Sequence, residues 1–286
     1  MRPRLPSWFR HPLPPAAEGG RVRRVLGRLS LHTVCESAQC PNRATCWHDG
    51  AAAFLILGDA CTRNCRFCAI PHTVHPAPPD PAEPARLAEA AAVMGLRHVV
   101  VTSVTRDDLP DGGASHFAAT LREIRARLLS ATVEVLVPDF QNKASAIDLV
   151  LAERPDIFNH NLETVARLQP VVRPQASTHR SLAVLRYAAA AGARTKSGLM
   201  LGLGETDEEI HTALHDLRQA GVTLLTLGQY LAPSSTHHPV ARYVSPAEFV
   251  AWRTTALALG FDAVASGPNV RSSYHAAELV ALGNAS

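Results

Sequence analysis

Three thiols stand in one short loop, Cys61, Cys65 and Cys68, at x3 then x2 spacing, with Phe67 just before the last. An apolar run from Ala52 to Leu57 leads into them and is closed by Gly58-Asp59, so the loop follows a buried strand. Cysteines so spaced reach three corners of one metal centre and cannot complete four-coordinate ligation by themselves. Structural sites are closed, whereas catalytic centres keep one position open for a small molecule. The loop therefore points to a cluster with one free iron. A zinc knuckle is the rival reading of these residues.

A second triplet precedes the first. Cys35, Cys40 and Cys46 follow x4 then x5 spacing and are again one ligand short. These six are all the cysteines of the chain. Their crowding between Cys35 and Cys68, in a chain long enough for an ample core, argues against a disulfide scaffold. A reduced, cytoplasmic protein is expected. A single six-thiolate cluster is disfavoured by the strand at 52–57 that separates the triplets.

With 286 residues the chain can bury one large α/β domain. A formal charge of +3 is too slight to argue for nucleic acid. No apolar run is long enough for a transmembrane helix, and residues 1–18 lack the apolar core of a secretory signal. No membrane partner is expected. Arginine supplies nearly all the positive charge, since Lys143 and Lys196 are the only lysines. Residues 1–30 read as an arm, extended and then briefly helical, with Val22, Val25, Leu26 and Leu29 on one face. Its basic run is either a solvated surface or a dock for an acidic partner.

The elements that must position the thiols follow in regular order. Beyond 52–57, strands are predicted at 97–103, 133–137, 156–159, 195–201 and 223–228. Helices are predicted at 82–94, 114–128, 143–153, 177–191 and 206–219. A last helix at 246–259 and an apolar stretch at 261–266 lead to the C-terminal residues. Asp207, Glu208 and Glu209 open the helix at 206 as its dipole prefers. Such alternation argues a parallel sheet, with a flavodoxin-like open sheet as the rival to a barrel.

In such folds functional groups gather where strands end. Those ends carry Asp59 and the cysteine loop, Thr102-Ser103, Pro138-Asp139, Asn159-His160-Asn161, Gly202 and Gln229-Tyr230. Gly202, Gly204 and Glu205 open the helix at 206, where backbone can approach a carboxylate or ribose; a plain strand-to-helix turn is the alternative. This is no dinucleotide fingerprint, so a nicotinamide cofactor is not expected. Lys196 either meets a cofactor carboxylate or a cluster, or pairs with Glu134 or Glu163. His98 and His160 read as core or rim histidines.

The cysteine loop resembles that of the radical S-adenosylmethionine enzymes. With the x4/x5 triplet and Arg271-Ser272-Ser273-Tyr274, the chain is similar to the lipoyl synthase family from about His32 to about Ala276. The likeness includes Val101 to Val104, Arg106 to Gly113, Pro138 to Phe140, Asn159 to Asn161, Thr195 to Glu205, Leu227 to Leu231 and Ser266 to Pro268.

The resemblance implies a partial (βα)6 TIM-type barrel over 51–265. A cluster-binding N-terminal segment at 1–50 and a C-terminal extension at 266–286 would flank it. It implies a 4Fe-4S cluster on Cys61, Cys65 and Cys68 that binds and cleaves S-adenosylmethionine. It implies an auxiliary 4Fe-4S cluster on Cys35, Cys40, Cys46 and one serine, Ser273 favoured over Ser272, with Arg271 beside it. Phe67, Thr102, Ser103, Asn159, Lys196, Gly202, Gly204, Glu205 and Gln229 are the candidate cofactor contacts. The implied reaction inserts two sulfur atoms, given up by the auxiliary cluster, at C6 and C8 of an octanoyl group on a lysine. The implied partners are an octanoylated lipoyl carrier domain, on a 2-oxoacid dehydrogenase E2 subunit or the glycine cleavage H protein. An electron donor such as ferredoxin or flavodoxin and an iron-sulfur carrier complete the set.

Overall fold

The structure is a computed structural model and describes residues 5–9, 16–37, 40, 42–48, 52–273 and 279. Tyr274 lies outside them.

One eight-stranded sheet runs in sequence order: β1 (His32–Thr33), β2 (Ala53–Ile56), β3 (His98–Ser103), β4 (Thr132–Leu136), β5 (Ile157–Asn159), β6 (Thr195–Leu201), β7 (Leu224–Gln229) and β8 (Ala263–Gly267). From β2 onward every pair is parallel, while β1 pairs antiparallel with β2 (His32 opposite Leu55). β1 and β8 remain as edges, so the barrel is open. The six predicted strands are all present, and the unassigned stretch at 261–266 supplies a seventh parallel strand. β8 runs across the boundary expected at residue 265.

The helices between strands are α2 (Glu83–Met94), α3 (Ala114–Arg127), α4 (Ala144–Leu151), α5 (Thr178–Ala190), α6 (Asp207–Gln219) and α7 (Pro246–Ala258), with α1 (Ala16–Arg28) ahead of the sheet. Local chemistry explains their limits. Thr206 and Glu209 form a reciprocal capping box at the start of α6, and Ser245 with Glu248 does the same for α7. Pro84 sits in the first turn of α2, and Gly95 ends it in the left-handed region at φ 68°. Each helix lays an apolar stripe on the sheet, such as Leu87, Ala88, Ala91 and Met94 of α2. The predicted face of α1, Val22, Val25, Leu26 and Leu29, is buried in the same core.

Candidate active site

β2 stops at Ile56, and the chain turns sharply through Leu57 (φ 69°) and Gly58 (φ 94°) into the cysteine loop. The loop is tied down on all sides. Thr62 N–H and Oγ1 both donate to the Thr105 carbonyl after β3, at 3.0 and 2.9 Å. Arg66 N–H donates to the Val172 carbonyl at 2.9 Å, and the Arg66 carbonyl accepts from His238 N–H at 2.8 Å. Arg63 points inward and forks onto Asp139 (2.9 and 2.6 Å) and Asp107 (2.7 and 2.9 Å). The Cys61 sulfur accepts the backbone N–H groups of Arg63 and Thr105, both at 3.3 Å.

The loop thereby faces a cavity of about 490 Å³ at the C-terminal ends of the strands. Cys61, Cys65 and Cys68 line it, and so do Cys35 and Cys40 of the other triplet. Arg271, Ser272 and Ser273 line its far side, brought there after β8. Phe67, Thr102, Ser103 and Gln229 also stand in the wall, as the strand-end reading expects. Cys46, on the short helix Arg43–His48, is not part of this lining.

Five further expected contacts lie behind the wall. Asn159 and Lys196 are fully buried and turn toward Glu134. Lys196 Nζ donates to both carboxylate oxygens at 2.8 and 3.0 Å, so Glu134 is its partner. Burial pushes the Glu134 pKa up, but Lys196, His98 and Asn159 outweigh it and leave the group below its usual value. Gly202, Gly204 and Glu205 belong to a turn in which the Glu205 carboxylate accepts the N–H groups of Gly202 and Leu203, while Ala241 N–H and Arg167 donate to the carbonyls of Gly202 and Gly204. Gly202 is required locally: a Cβ there would stand 2.2 Å from Gln229 Nε2 and 2.4 Å from the Arg242 carbonyl oxygen.

Two charged groups also stand in the wall, Arg173, which sequence reasoning missed, and Glu163, which it named only as a possible partner of Lys196. Glu163 is half-buried with Asn161 Nδ2 donating to it at 3.1 Å, and desolvation raises its pKa despite nearby Arg173. Arg173 donates to the carbonyls of Asn161 and Leu162. Glu163 lies only two residues past Asn161 and was legible as an extension of that strand end. Arg173 follows a short helix, Gln169–Val172, with no periodic signal. His160 also reaches the cavity, yet its ring is held on both sides, Nδ1 by the Val137 carbonyl (2.8 Å) and Nε2 by Ser181 Oγ (3.0 Å).

The donor set fits a metal cluster. Burial pushes the bare Cys68 thiol up to about 12 and raises Cys65 and Cys35 as well. Thiols so placed become thiolates when a cation takes the proton's place. Among the described residues no three His, Cys, Asp or Glu side chains close on one metal ion. Thiols spread around a common cavity suit a group of several atoms. Ser103 Oγ and Asn161 Oδ1 are buried in the same wall without a hydrogen-bond partner, as a polar ligand requires.

Residues 55–217 match the family model of the Radical SAM superfamily, which is the class that the fold and cysteine loop define. Among solved structures the chain is similar to HydG, a maturase of the FeFe hydrogenase (TM-score 0.58, 17% identity, 73% of this chain and 50% of that one). It is also similar to methylornithine synthase, PylB (TM-score 0.55, 14% identity, 88% and 74%). Such distant identities establish the fold. Curated relatives go further: the lipoyl synthase of Rubrobacter xylanophilus is 53% identical, over 96% of this chain and 85% of its own length. Those of Anaeromyxobacter sp. and Methylococcus capsulatus are 53% and 54% identical, over 99% and 98% of this chain and 97% and 87% of theirs. The chain belongs to the lipoyl synthase family of radical S-adenosylmethionine enzymes. No helix among the described residues is long and apolar enough to cross a membrane.

Proposed function

We propose that the chain inserts two sulfur atoms, at C6 and C8, into an octanoyl group carried as an amide on a lysine of a lipoyl carrier domain. The observation that carries this reading is the meeting of Cys61, Cys65 and Cys68, of Cys35 and Cys40 from the other triplet, and of the Arg271-Ser272-Ser273 segment on one cavity. In this reading Cys61, Cys65 and Cys68 hold one 4Fe-4S cluster, and Cys35, Cys40, Cys46 and Ser273 hold a second. When bound, these groups supply a hydrogen-abstracting 5′-deoxyadenosyl radical from S-adenosylmethionine and the sulfur that enters the chain.

The remaining work falls to the protein's own residues. Asn161 Nδ2 donates to Ser272 Oγ at 2.6 Å, and Lys196 takes the Ser272 carbonyl at 2.7 Å. Ser272 is thus engaged at both oxygens, which favours Ser273 as the ligand. Arg271 lines the same cavity as Cys40 and in this reading balances the thiolates. Arg173 offers a positive charge to the carboxylate of S-adenosylmethionine and Glu163 a hydrogen-bond acceptor to its amino group, with Phe67, Thr102, Ser103 and Gln229 as further contacts. Asn159, Lys196, Gly202, Gly204 and Glu205 act from behind, by fixing the wall. Leu55, Val100, Leu199 and Met200 give the wall an apolar face that accepts an octanoyl chain and keeps water out.

In this reading 1–50 supplies the auxiliary cysteines, 51–265 the barrel and 266–286 the serine, although β8 crosses the second boundary and β1 joins the sheet across the first. A cytoplasmic setting, a ferredoxin- or flavodoxin-type electron donor and an iron-sulfur carrier belong to the same reading. Iron and sulfide analysis after anaerobic reconstitution tests it. The intact chain is expected to hold two clusters and the Cys40→Ala variant one. A colourless protein loaded with zinc would overturn it.

A further inference from the structure

Lys196 is one of two lysines in the chain and has no solvent exposure. A buried ammonium is tolerated only when all its N–H groups are paired. Its three donors have three acceptors: Glu134 Oε1, Glu134 Oε2 and, at 2.7 Å, the backbone carbonyl of Ser272. Two of these come from β4. The third comes from the C-terminal segment, far along the chain. Asn159 Nδ2 steadies Glu134 from the strand between, at 2.9 Å. The register of β4, β5 and β6 brings these groups together, with Asn159 directly opposite Lys196.

We propose that the buried Glu134–Lys196 pair is a latch that positions the Arg271-Ser272-Ser273 segment against the cavity. Lys196 and Glu134 are then positioning residues, and the serine is delivered by its neighbour's carbonyl. The coupling is reciprocal. Undocking the segment leaves one ammonium N–H unpaired in the core, so the core itself favours the docked state. Asn161 adds a second tie through Ser272 Oγ, and Asn42 Nδ2 a third through the Asn269 carbonyl at 2.6 Å. Among the described residues no hydrogen bond engages Ser273, which leaves it able to bind or release a ligand while the segment stays latched. The functional meaning of the latch rests on the reading of Ser273 given above.

The test separates the latch from that reading. Lys196→Met alone strands the Glu134 charge, so the informative variant is the charge-free pair E134Q/K196M, with N161A as a milder second. Trypsin cleavage after Arg271 in the full-length apoprotein releases residues 272–286, which mass spectrometry counts. The double variant is expected to fold and to be cut about tenfold faster, the effect of one charged hydrogen bond on local opening. N161A is expected to fall between it and the unmodified chain. Equal cleavage rates in a folded double variant would overturn the latch. Mössbauer spectra of the auxiliary cluster, taken with Cys61, Cys65 and Cys68 replaced by alanine, give the second readout. Faster cleavage with the spectral change of Ser273→Ala supports both latch and ligand. Faster cleavage with an unchanged spectrum supports the latch and overturns the role of Ser273.

Discussion

Arg63 and Asp139 meet through two hydrogen bonds of 2.9 and 2.6 Å in the wall beneath the cysteine loop, with side chains 4% and 0% exposed. The pair fastens a residue between Cys61 and Cys65 to the end of β4. Burial alone would raise the Asp139 pKa, but Arg63 holds it far below the usual carboxylate range. Asp139→Ala removes two charged hydrogen bonds and leaves Arg63 with Asp107 as its remaining carboxylate, so it is expected to cost about 1.5–3 kcal/mol in urea unfolding of the apoprotein. The pair's contribution is complete above the ordinary Asp value of 3.8 and is lost as pH falls below it. An Asp139→Ala protein as stable as the unmodified chain at pH 7 would show that the clamp is idle.

His160 sets a second pH dependence. Burial, followed by the charge of Arg173, lowers its pKa from 6.5 to about 4. The Val137 carbonyl accepts only, so Nδ1 carries the proton and Nε2 accepts from Ser181. Unfolding frees a ring that takes a proton near 6.5. Stability is therefore full above that value and falls as pH drops toward 4, by up to about 3 kcal/mol. Melting temperatures of the apoprotein between pH 7 and pH 5 should decline, and His160→Gln should flatten the decline. An equal slope in both proteins would assign the effect elsewhere.

The two triplets should fail separately. Cys68→Ala is expected to abolish formation of 5′-deoxyadenosine from S-adenosylmethionine. Cys40→Ala is expected to keep some of that cleavage and to make no sulfur-bearing product. Lipoyl product from Cys40→Ala would remove the sulfur-donor role.

Gly228 measures how closely the C-terminal segment packs. A Cβ there would stand 2.1 Å from the Val270 carbonyl oxygen, and neither backbone can yield cheaply. Gly228→Ala should cost about 1–3 kcal/mol and loosen residues 270–273 in hydrogen exchange. Gly27, in α1 with open space around it, is the control. Alanine there should be neutral or stabilise by up to about 1 kcal/mol. Unaltered exchange in Gly228→Ala would mean that the segment is not held at this point.

Much of the fold was legible because its signals are local. Thr206 with Glu209 and Ser245 with Glu248 mark helix starts in the sequence itself, and the runs Val99–Val101 and Val133–Val137 read as buried strands. β1 was not legible, since two residues carry no period and its partner lies beyond the second triplet. The site divides in the same way. Cysteine spacing singled out five residues that line the cavity, Cys46 standing apart from it, and the strand ends singled out Thr102, Ser103 and Gln229 in the same lining. Lys196 had two sequence readings, a ligand contact or an ion pair. Only the register of β4 to β6 brings Glu134 beneath it and turns it from the cavity. Arg173 and Ser272 depend on long-range docking that no spacing encodes.

The most direct test supplies the anaerobically reconstituted protein with reductant, S-adenosylmethionine and an octanoyl-lysine peptide, and reads the peptide by mass spectrometry. A peptide carrying two added sulfur atoms, formed together with 5′-deoxyadenosine, is the expected result. 5′-Deoxyadenosine beside an unchanged peptide, from protein fully loaded with iron, would contradict the proposed substrate and leave only the radical chemistry.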